Sequence, residues 1–219
     1  MSKKLTNNQI KFYNRYGYLI VKNVLNKVEV NNINKILKLL EKKQPEARGV
    51  SEPGIKKSLI HSIHKNKGFI EKIEKKNWFQ SFSAGLLGSK EVSVWNAKAN
   101  LKKKWHGTAE YYHQDYIYWR ELGFASSQLM NCMIFLDNHS HSNAGLWVFP
   151  STHKKMYNHK SFLNINSLHK YFIEPNLLDK ISKKNRPISI NAKKGSCLFF
   201  HCRLIHGSSH NISGEDRRV

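Results

Sequence analysis

The sequence predicts an α+β fold, mainly β, in which helices near the N-terminus pack on short strands that close on themselves as a sandwich or jelly roll. Two observations carry that expectation. Apolar residues recur at helical spacing early in the chain, as Val30, Ile33, Leu37 and Leu40, whereas from residue 91 onward aromatic and branched residues gather in short runs separated by turns. No internal repeat or low-complexity linker interrupts either part, and 219 residues suit a single domain over 1–219.

Taken in order, Thr6 stands three residues before Gln9, the spacing of a capping box, ahead of Ile10, Tyr13 and Tyr16, and Gly17 closes that helix. Tyr18-Leu19-Ile20-Val21 is an apolar strand, and Val30 to Leu40 is the buried stripe of a second helix. Pro45, Gly49, Pro53 and Gly54 among scattered charges make 44–66 a loop. Helical stretches at 68–76 and 78–87 follow, the second closed by Gly88. Val92 to Trp95, Glu110 to His113, Leu129 to Leu136 and Leu146 to Phe149 are strand candidates. After a polar stretch at 153–186, Ile188 and Ile190, a turn at Lys193-Lys194-Gly195, Cys197 to Phe200 and Arg203 to Ile205 read as a hairpin pair.

The chain carries 37 Lys and Arg against 15 Asp and Glu, a formal net charge of +22. Only seven of the basic residues are Arg, and the Lys excess accompanies many Asn and Ile, three residues that share A/T-rich codons. Runs such as Lys42-Lys43, Lys102-Lys103-Lys104 and Lys183-Lys184 are short and dispersed. That pattern suits solvated faces better than a phosphate-tracking stripe, so nucleic acid is not the expected partner. No apolar run approaches the roughly 18 residues of a membrane span, and the N-terminus leads into no signal-peptide stretch, which makes the cytoplasm the expected compartment. Cys132, Cys197 and Cys202 lack CxxC spacing and read as buried thiols. Nothing in the sequence specifies an oligomeric state.

Among 12 His, the pair in His113-Gln114-Asp115 stands out. Residues i and i+2 of a strand face the same way, so this ring and this carboxylate can reach one point. Two His and one carboxylate on a face of an octahedron, the other positions open, form the non-heme Fe(II) oxygenase site. The third ligand is to be sought among His201, His206 and His210.

Other segments accompany this one. Leu5-Thr6 with Gln9-Ile10 precedes Gly17 to Val21; Tyr112 to Asp115 follows; then come Phe135-Leu136-Asp137, Asn143 to Lys154, Lys194 to Phe200, and His206-Gly207-Ser208 with Asn211 to Arg217. In this order they resemble the phytanoyl-CoA dioxygenase family of Fe(II)/2-oxoglutarate oxygenases. The resemblance implies a double-stranded β-helix core, jelly-roll and cupin-like, with N-terminal helices packed on it. It implies Fe(II), 2-oxoglutarate as co-substrate and O2. It also implies that His206, which opens the His-Gly-Ser motif, joins His113 and Asp115 as metal ligand, leaving His201 and His210 as ordinary residues. Arg217, eleven positions after His206, then pairs with the far carboxylate of 2-oxoglutarate, a task for which a planar guanidinium fork is suited. Ser208 assists at the same carboxylate by this likeness, and is otherwise a turn-forming Ser.

A narrower likeness covers Asn100 to Trp119, which is similar to ectoine hydroxylases through Gly107-Thr108, Tyr112-His113, Asp115 and Trp119. It implies that Asn100 contacts 2-oxoglutarate and that Trp119 walls the pocket instead of merely packing on a barrel rim. Lys102-Lys103-Lys104 and Glu121-Leu122-Gly123-Phe124 depart from that pattern and turn the expectation away from ectoine itself. Pro150-Ser151-Thr152-His153 departs from the family's turn but not from its metal set. Arg217-Arg218-Val219 stands where the family's strand continues, so the expectation is a strand that lacks its continuation and frays. The reaction implied is hydroxylation of an aliphatic C–H bond of a small polar or anionic metabolite, with release of succinate and CO2. An intact Asp115 favours this over halogenation. Desaturation, ring closure or epimerisation at the same iron, and a non-catalytic binder on the same scaffold, are the alternatives. Tyr116, Tyr118, Trp119 and Arg203 are expected near the iron, with 155–186 as a lid.

Overall fold

The computed structural model describes residues 4–43, 59, 60, 62–105, 109–161 and 171–219, with 70 and 71 described by their backbone alone. Capping sets the first helix. The Thr6 hydroxyl accepts the Gln9 N–H, the Gln9 side chain accepts the Thr6 N–H, and Gly17 ends the helix at φ 81°. This is α1, Asn7–Tyr16, followed by β1, Tyr18–Val21, and α2, Lys27–Lys43, whose buried face is Val30, Ile33 and Leu37. After β2, Leu59–Ile60, come α3, Lys67–Ile73, and α4, Asn77–Leu87, the latter burying Trp78, Phe79, Phe82 and Leu86. The rest is mostly strand: β3 Ala99–Lys102, β4 Glu110–His113, the single-turn α5 Tyr116–Trp119, β5 Met130–Ile134, β6 Leu146–Val148, β7 Lys160–Ser161 and β8 Tyr171–Phe172. Helix α6, Pro175–Ser182, precedes β9 Ile188–Ser189, β10 Cys197–His201, β11 His206–Ser208 and β12 Arg217–Arg218.

Every described strand pairing is antiparallel, in sheets ordered β1-β10-β5, β4-β11-β6-β9, β12-β3-β2 and β7-β8. Strand β10 explains the layering. Cys197 and Phe199 face the helices and pack with Leu19, Ile33, Phe79 and Phe82, whereas Leu198 and Phe200 face the other way, toward Phe135, Leu146, Val148 and Ile190. A strand buried on both faces loses its polar alternation, which is why this run reads as continuously apolar. Each such side chain taken fully from water contributes about 1.5–3 kcal/mol.

The pairing differs from the sequence expectation at several places. Val92 to Trp95 is not a strand, and Trp95 stays exposed; the strand falls at Ala99–Lys102, where β2 and β12 supply partners on both sides. Arg203 to Ile205 is the turn into β11. The expected hairpin is absent because β9 pairs with β6 while β10 lies between β1 and β5, in another sheet. The polar 153–186 stretch contains α6, signalled by Pro175 at its first turn. Cys132 is only half buried. The loop expected at 44–66 lies mostly outside the described residues. No described helix is long and apolar enough to cross a membrane.

Strand β12 is anchored, against the expectation that it frays. It pairs with β3 at Arg217↔Lys102 and Arg218↔Leu101, and the backbones of Asn100 and Val219 exchange hydrogen bonds of 2.9 and 3.1 Å. On the opposite face the Arg218 guanidinium donates to both Asp137 oxygens, at 2.6 and 2.7 Å, and its backbone N–H adds a third bond of 3.0 Å. Truncating the anchor, Asp137→Ala, lowers unfolding free energy by about 2 kcal/mol, read from denaturant midpoints. Gly195 sits at φ 83°, and a Cβ there would lie 2.4 Å from the Leu25 carbonyl oxygen, so Gly195→Ala costs about 2 kcal/mol or more in the same measurement. Burial lowers the pKa of His139, His153, His159 and His201, the last two to about 4. Their folded values lie below the unfolded value of about 6.5, so the stability they contribute is present above it and lost on acidification. The denaturant midpoint therefore declines from about pH 6.5 toward pH 4.

Candidate metal centre

Strands β4 and β11 lie side by side with His206 directly opposite His113. Two residues further, Ser208 pairs with Glu110, three residues back from His113, so β4 carries one extra residue. That bulge brings Glu110 and His113 to the same cavity despite their odd spacing. Gly207 permits the close approach, because a Cβ there would stand 2.8 Å from the Tyr112 ring and 2.9 Å from the Glu110 carbonyl oxygen. Asp115 follows β4 at the start of α5, which is held by a 3.0 Å bond from the Tyr116 N–H to the Cys202 carbonyl.

The three side chains converge. A nitrogen of each His and a carboxylate oxygen lie within 4.8 Å of one another, the one such His/Cys/Asp/Glu group among the described residues. His113 Nδ1 stands 2.7 Å from the Tyr111 carbonyl and His206 Nδ1 stands 3.0 Å from that of Leu204. Each Nδ1 is thereby assigned the N–H, which directs the Nε2 atoms to Asp115, at 3.1 and 3.6 Å. Asn131 Nδ2 donates to Asp115 Oδ2 at 2.9 Å. Burial opposes charge on Asp115, but His206 and His113 hold its carboxyl well below the usual range. Burial also lowers His206, against the pull of Asp115, while at His113 the hydrogen bond and charge of Asp115 outweigh burial and raise it. An ionised carboxylate beside imidazole nitrogens of fixed tautomer is the donor set that a non-heme Fe(II) takes on one face, so the residues fit iron.

A cavity of about 540 Å³ reaches this triad, and its wall includes Asn100, Lys102, Glu110, Tyr118, Trp119 and Asn131. Asn100 and Trp119 thus both line this cavity. Ser208 is buried one step beyond His206, and its Oγ accepts the Lys102 ammonium at 2.6 Å. Arg217 is 3% exposed, opposite Lys102, with its Nε buried and unpartnered among the described residues, although Arg217 is not itself part of the cavity wall. Burial pushes its guanidinium down to about 10 despite the attraction of Glu110. A buried cation with an orphaned donor is the environment a carboxylate would satisfy, so this corner fits 2-oxoglutarate. Tyr118 packs 6.0 Å from the His113 ring, whereas the Tyr116 hydroxyl turns to the Phe124 carbonyl, and Arg203 is not part of the wall. His201 accepts the Arg203 N–H, and His210 is exposed. Gly107 and Thr108 lie outside the described residues.

Three residues of the site escape the sequence reading. Lys102, expected on a solvated face, is 3% exposed; its alternation with Asn100 on one strand is the signal that could have found it. Asn131 carries no such signal. Gln114, between His113 and Asp115, is fully buried: it donates to the Lys155 and Arg203 carbonyls and accepts the Tyr157 N–H, tying two loops to the end of β4.

Comparison with known proteins agrees with this geometry. The chain is 24% identical over 221 residues to an ectoine dioxygenase of Bordetella bronchiseptica, covering 95% of this chain and 71% of that one. It is 22% identical over 219 residues to an L-proline trans-4-hydroxylase of Streptomyces griseoviridis, covering 94% and 81%. A crystal structure of EctD from S. alaskensis with 2-oxoglutarate and 5-hydroxyectoine superposes with a TM-score of 0.80 at 20% identity, over 98% of this chain and 73% of that one. The family description "Phytanoyl-CoA dioxygenase (PhyH)" matches residues 13–219. The chain belongs to the phytanoyl-CoA dioxygenase family and is an Fe(II)- and 2-oxoglutarate-dependent dioxygenase, using O2.

Proposed function

We propose that this dioxygenase hydroxylates an aliphatic C–H bond of a small polar or anionic metabolite, with His113, Asp115 and His206 as the iron ligands. The observation that carries the reading is the convergence of these donors within 4.8 Å at a cavity that also reaches Asn100 and Lys102. Iron, 2-oxoglutarate and O2 together supply the oxidation, with succinate and CO2 as co-products. The protein supplies placement. The Tyr111 and Leu204 carbonyls fix the two imidazoles, and Asn131 occupies one oxygen of Asp115, which leaves the other for the metal. Arg217 and Ser208 hold the far carboxylate of the co-substrate, and Asn100, on the cavity wall, contacts the co-substrate. Tyr118 and Trp119 wall the substrate side. Tyr171, among the described residues of the 155–186 segment, packs 5.3 Å from Tyr118, which supports a place for β8 beside the site. The antiparallel β1-β10-β5 and β4-β11-β6-β9 sheets, sharing a core through β10, are read as the two halves of a double-stranded β-helix.

The substrate class is supported by the relatives' names, which point to ectoine and L-proline, both small and polar. Succinate release from 2-oxoglutarate, dependent on Fe(II) and stimulated by one compound from a panel of amino acids and small polar metabolites, tests the reading. His113→Ala abolishes that release while leaving the thermal midpoint of the metal-free chain within a few degrees. Stimulation confined to long acyl chains would contradict the substrate class. Asn131→Ala weakens iron affinity by about 10–100-fold, measured by anaerobic titration, without altering the fold.

A further inference from the structure

Strands β5 and β10 bring two thiols together. Cys132 stands opposite Phe199, and Cys197 lies two residues before Phe199 on β10, so the two cysteines are diagonal neighbours on the sheet face turned to the helices. Their sulfur atoms are 3.1 Å apart, and neither is in a disulfide. An S–S bond of about 2.05 Å asks for a closure of about 1 Å, a side-chain adjustment.

The two thiols are not equivalent. Cys132 is half buried and belongs to the wall of the cavity that reaches His113, Asp115 and His206, whereas Cys197 is fully buried and is not part of that wall. Burial, then the hydrogen bond and charge of Cys132, hold the Cys197 thiol well above its ordinary value, which withholds it from reacting first. The third thiol stands apart. Cys202 is buried and donates to the Ser126 carbonyl at 3.3 Å, and burial, then Asp115, push it up to about 12. A half-buried thiol at a cavity, with a second sulfur in contact behind it, is the arrangement of a reactive cysteine and its resolving partner. Hydrogen peroxide is small enough to enter a cavity of about 540 Å³. It is also the two-electron reduction product of O2, which this enzyme uses at the same cavity.

We propose that Cys132 and Cys197 form a thiol–disulfide site for hydrogen peroxide in the wall of the iron cavity, Cys132 being the sulfur that reacts and Cys197 the one that resolves it. The Cys132 thiolate attacks one peroxide oxygen and the O–O bond breaks. The other oxygen leaves as hydroxide and takes the proton that Cys132 released, giving water and a Cys132 sulfenic acid. The Cys197 sulfur then attacks the Cys132 sulfur: the S–S bond forms, the S–O bond breaks, and the departing hydroxide takes the Cys197 proton as a second water. The two thiols together lose two electrons and two protons, and the peroxide gains them. A second sulfur this close intercepts the sulfenic acid before further oxidation, which keeps the step reversible by thiol reductants.

The test treats the whole reduced chain with a few equivalents of hydrogen peroxide, a chelator being present so that no iron reacts with it. Free thiols and peptide masses are followed in wild type, Cys132→Ser, Cys197→Ser and Cys202→Ser. Wild type and Cys202→Ser lose two thiols, form a Cys132–Cys197 link within one chain at a mass about 2 Da below the reduced form, and recover both thiols with dithiothreitol. Cys197→Ser stops at a Cys132 sulfenic acid that dimedone captures, and in Cys132→Ser the remaining thiols react about tenfold more slowly or less. Cys197→Ala repeats the second variant without a buried hydroxyl, for the case in which the serine disturbs folding. Oxidation that falls first on Cys202, or on Met130 or Met133 of the same wall, overturns the assignment. So do links formed only between chains, and a wild type that keeps all its thiols where free cysteine is oxidised. None of these outcomes touches the iron and 2-oxoglutarate reading, which this site does not require.

Discussion

The pairing of β4 with β11 is the constraint on which the site depends. It places His206 opposite His113, and the single-residue bulge below them sets Glu110 and Ser208 at the next rung. Asp115 needs no long-range placement of its own, because it follows His113 by two residues and is steadied by Asn131 from β5. A shift of one residue in that register would turn one imidazole out of the cavity. The surroundings hold the register firmly: Gly207 admits the close approach of Tyr112, β6 pairs along the other edge of β11, and Gln114 ties the neighbouring loops to the end of β4.

A second layer of the architecture concerns charge. The +22 of the whole chain is carried mostly by dispersed lysines and identifies no partner. Its informative part is two residues deep in the molecule, Lys102 and Arg217, brought face to face by β3 and β12. Asp137 gives the terminal strand its hold by gripping Arg218 on the outward face, which leaves Arg217 directed inward. The alternation of a two-residue strand thus gives one arginine to the Asp137 pair and buries its neighbour.

Much of this was legible in the sequence, for identifiable reasons. Local rules held where the cause is local: the Thr6–Gln9 cap, the Gly17 stop and the Val30 to Leu37 face are set by neighbours along the chain. The pair His113 and Asp115 was singled out as positions i and i+2 of one strand; the two side chains do converge, although β4 ends at His113 and Asp115 stands at the start of α5, and the choice of His206 came from motif resemblance. What escaped depends on partners distant in sequence. Val92 to Trp95 has strand residues but no strand to pair with, and β9 and β10 look like a hairpin although each finds its partner in a different sheet. Lys102 was hidden by its own neighbours, since a Lys run reads as solvated until the pairing with β12 buries its first member. Asn131 and Gln114 carry no chemistry that composition can flag; only their contacts give them roles.

The proposed chemistry depends on His113, Asp115 and His206 forming one iron site that takes 2-oxoglutarate. The most direct measurement is anaerobic binding of Fe(II) and 2-oxoglutarate to the whole chain, followed by metal stoichiometry and the visible charge-transfer band together, in wild type and Asp115→Ala. One iron per chain and a band that appears only with 2-oxoglutarate, both lost in the variant, is the result this architecture predicts. Iron binding that survives Asp115→Ala undiminished, or a wild-type chain that binds iron without any response to 2-oxoglutarate, would contradict it.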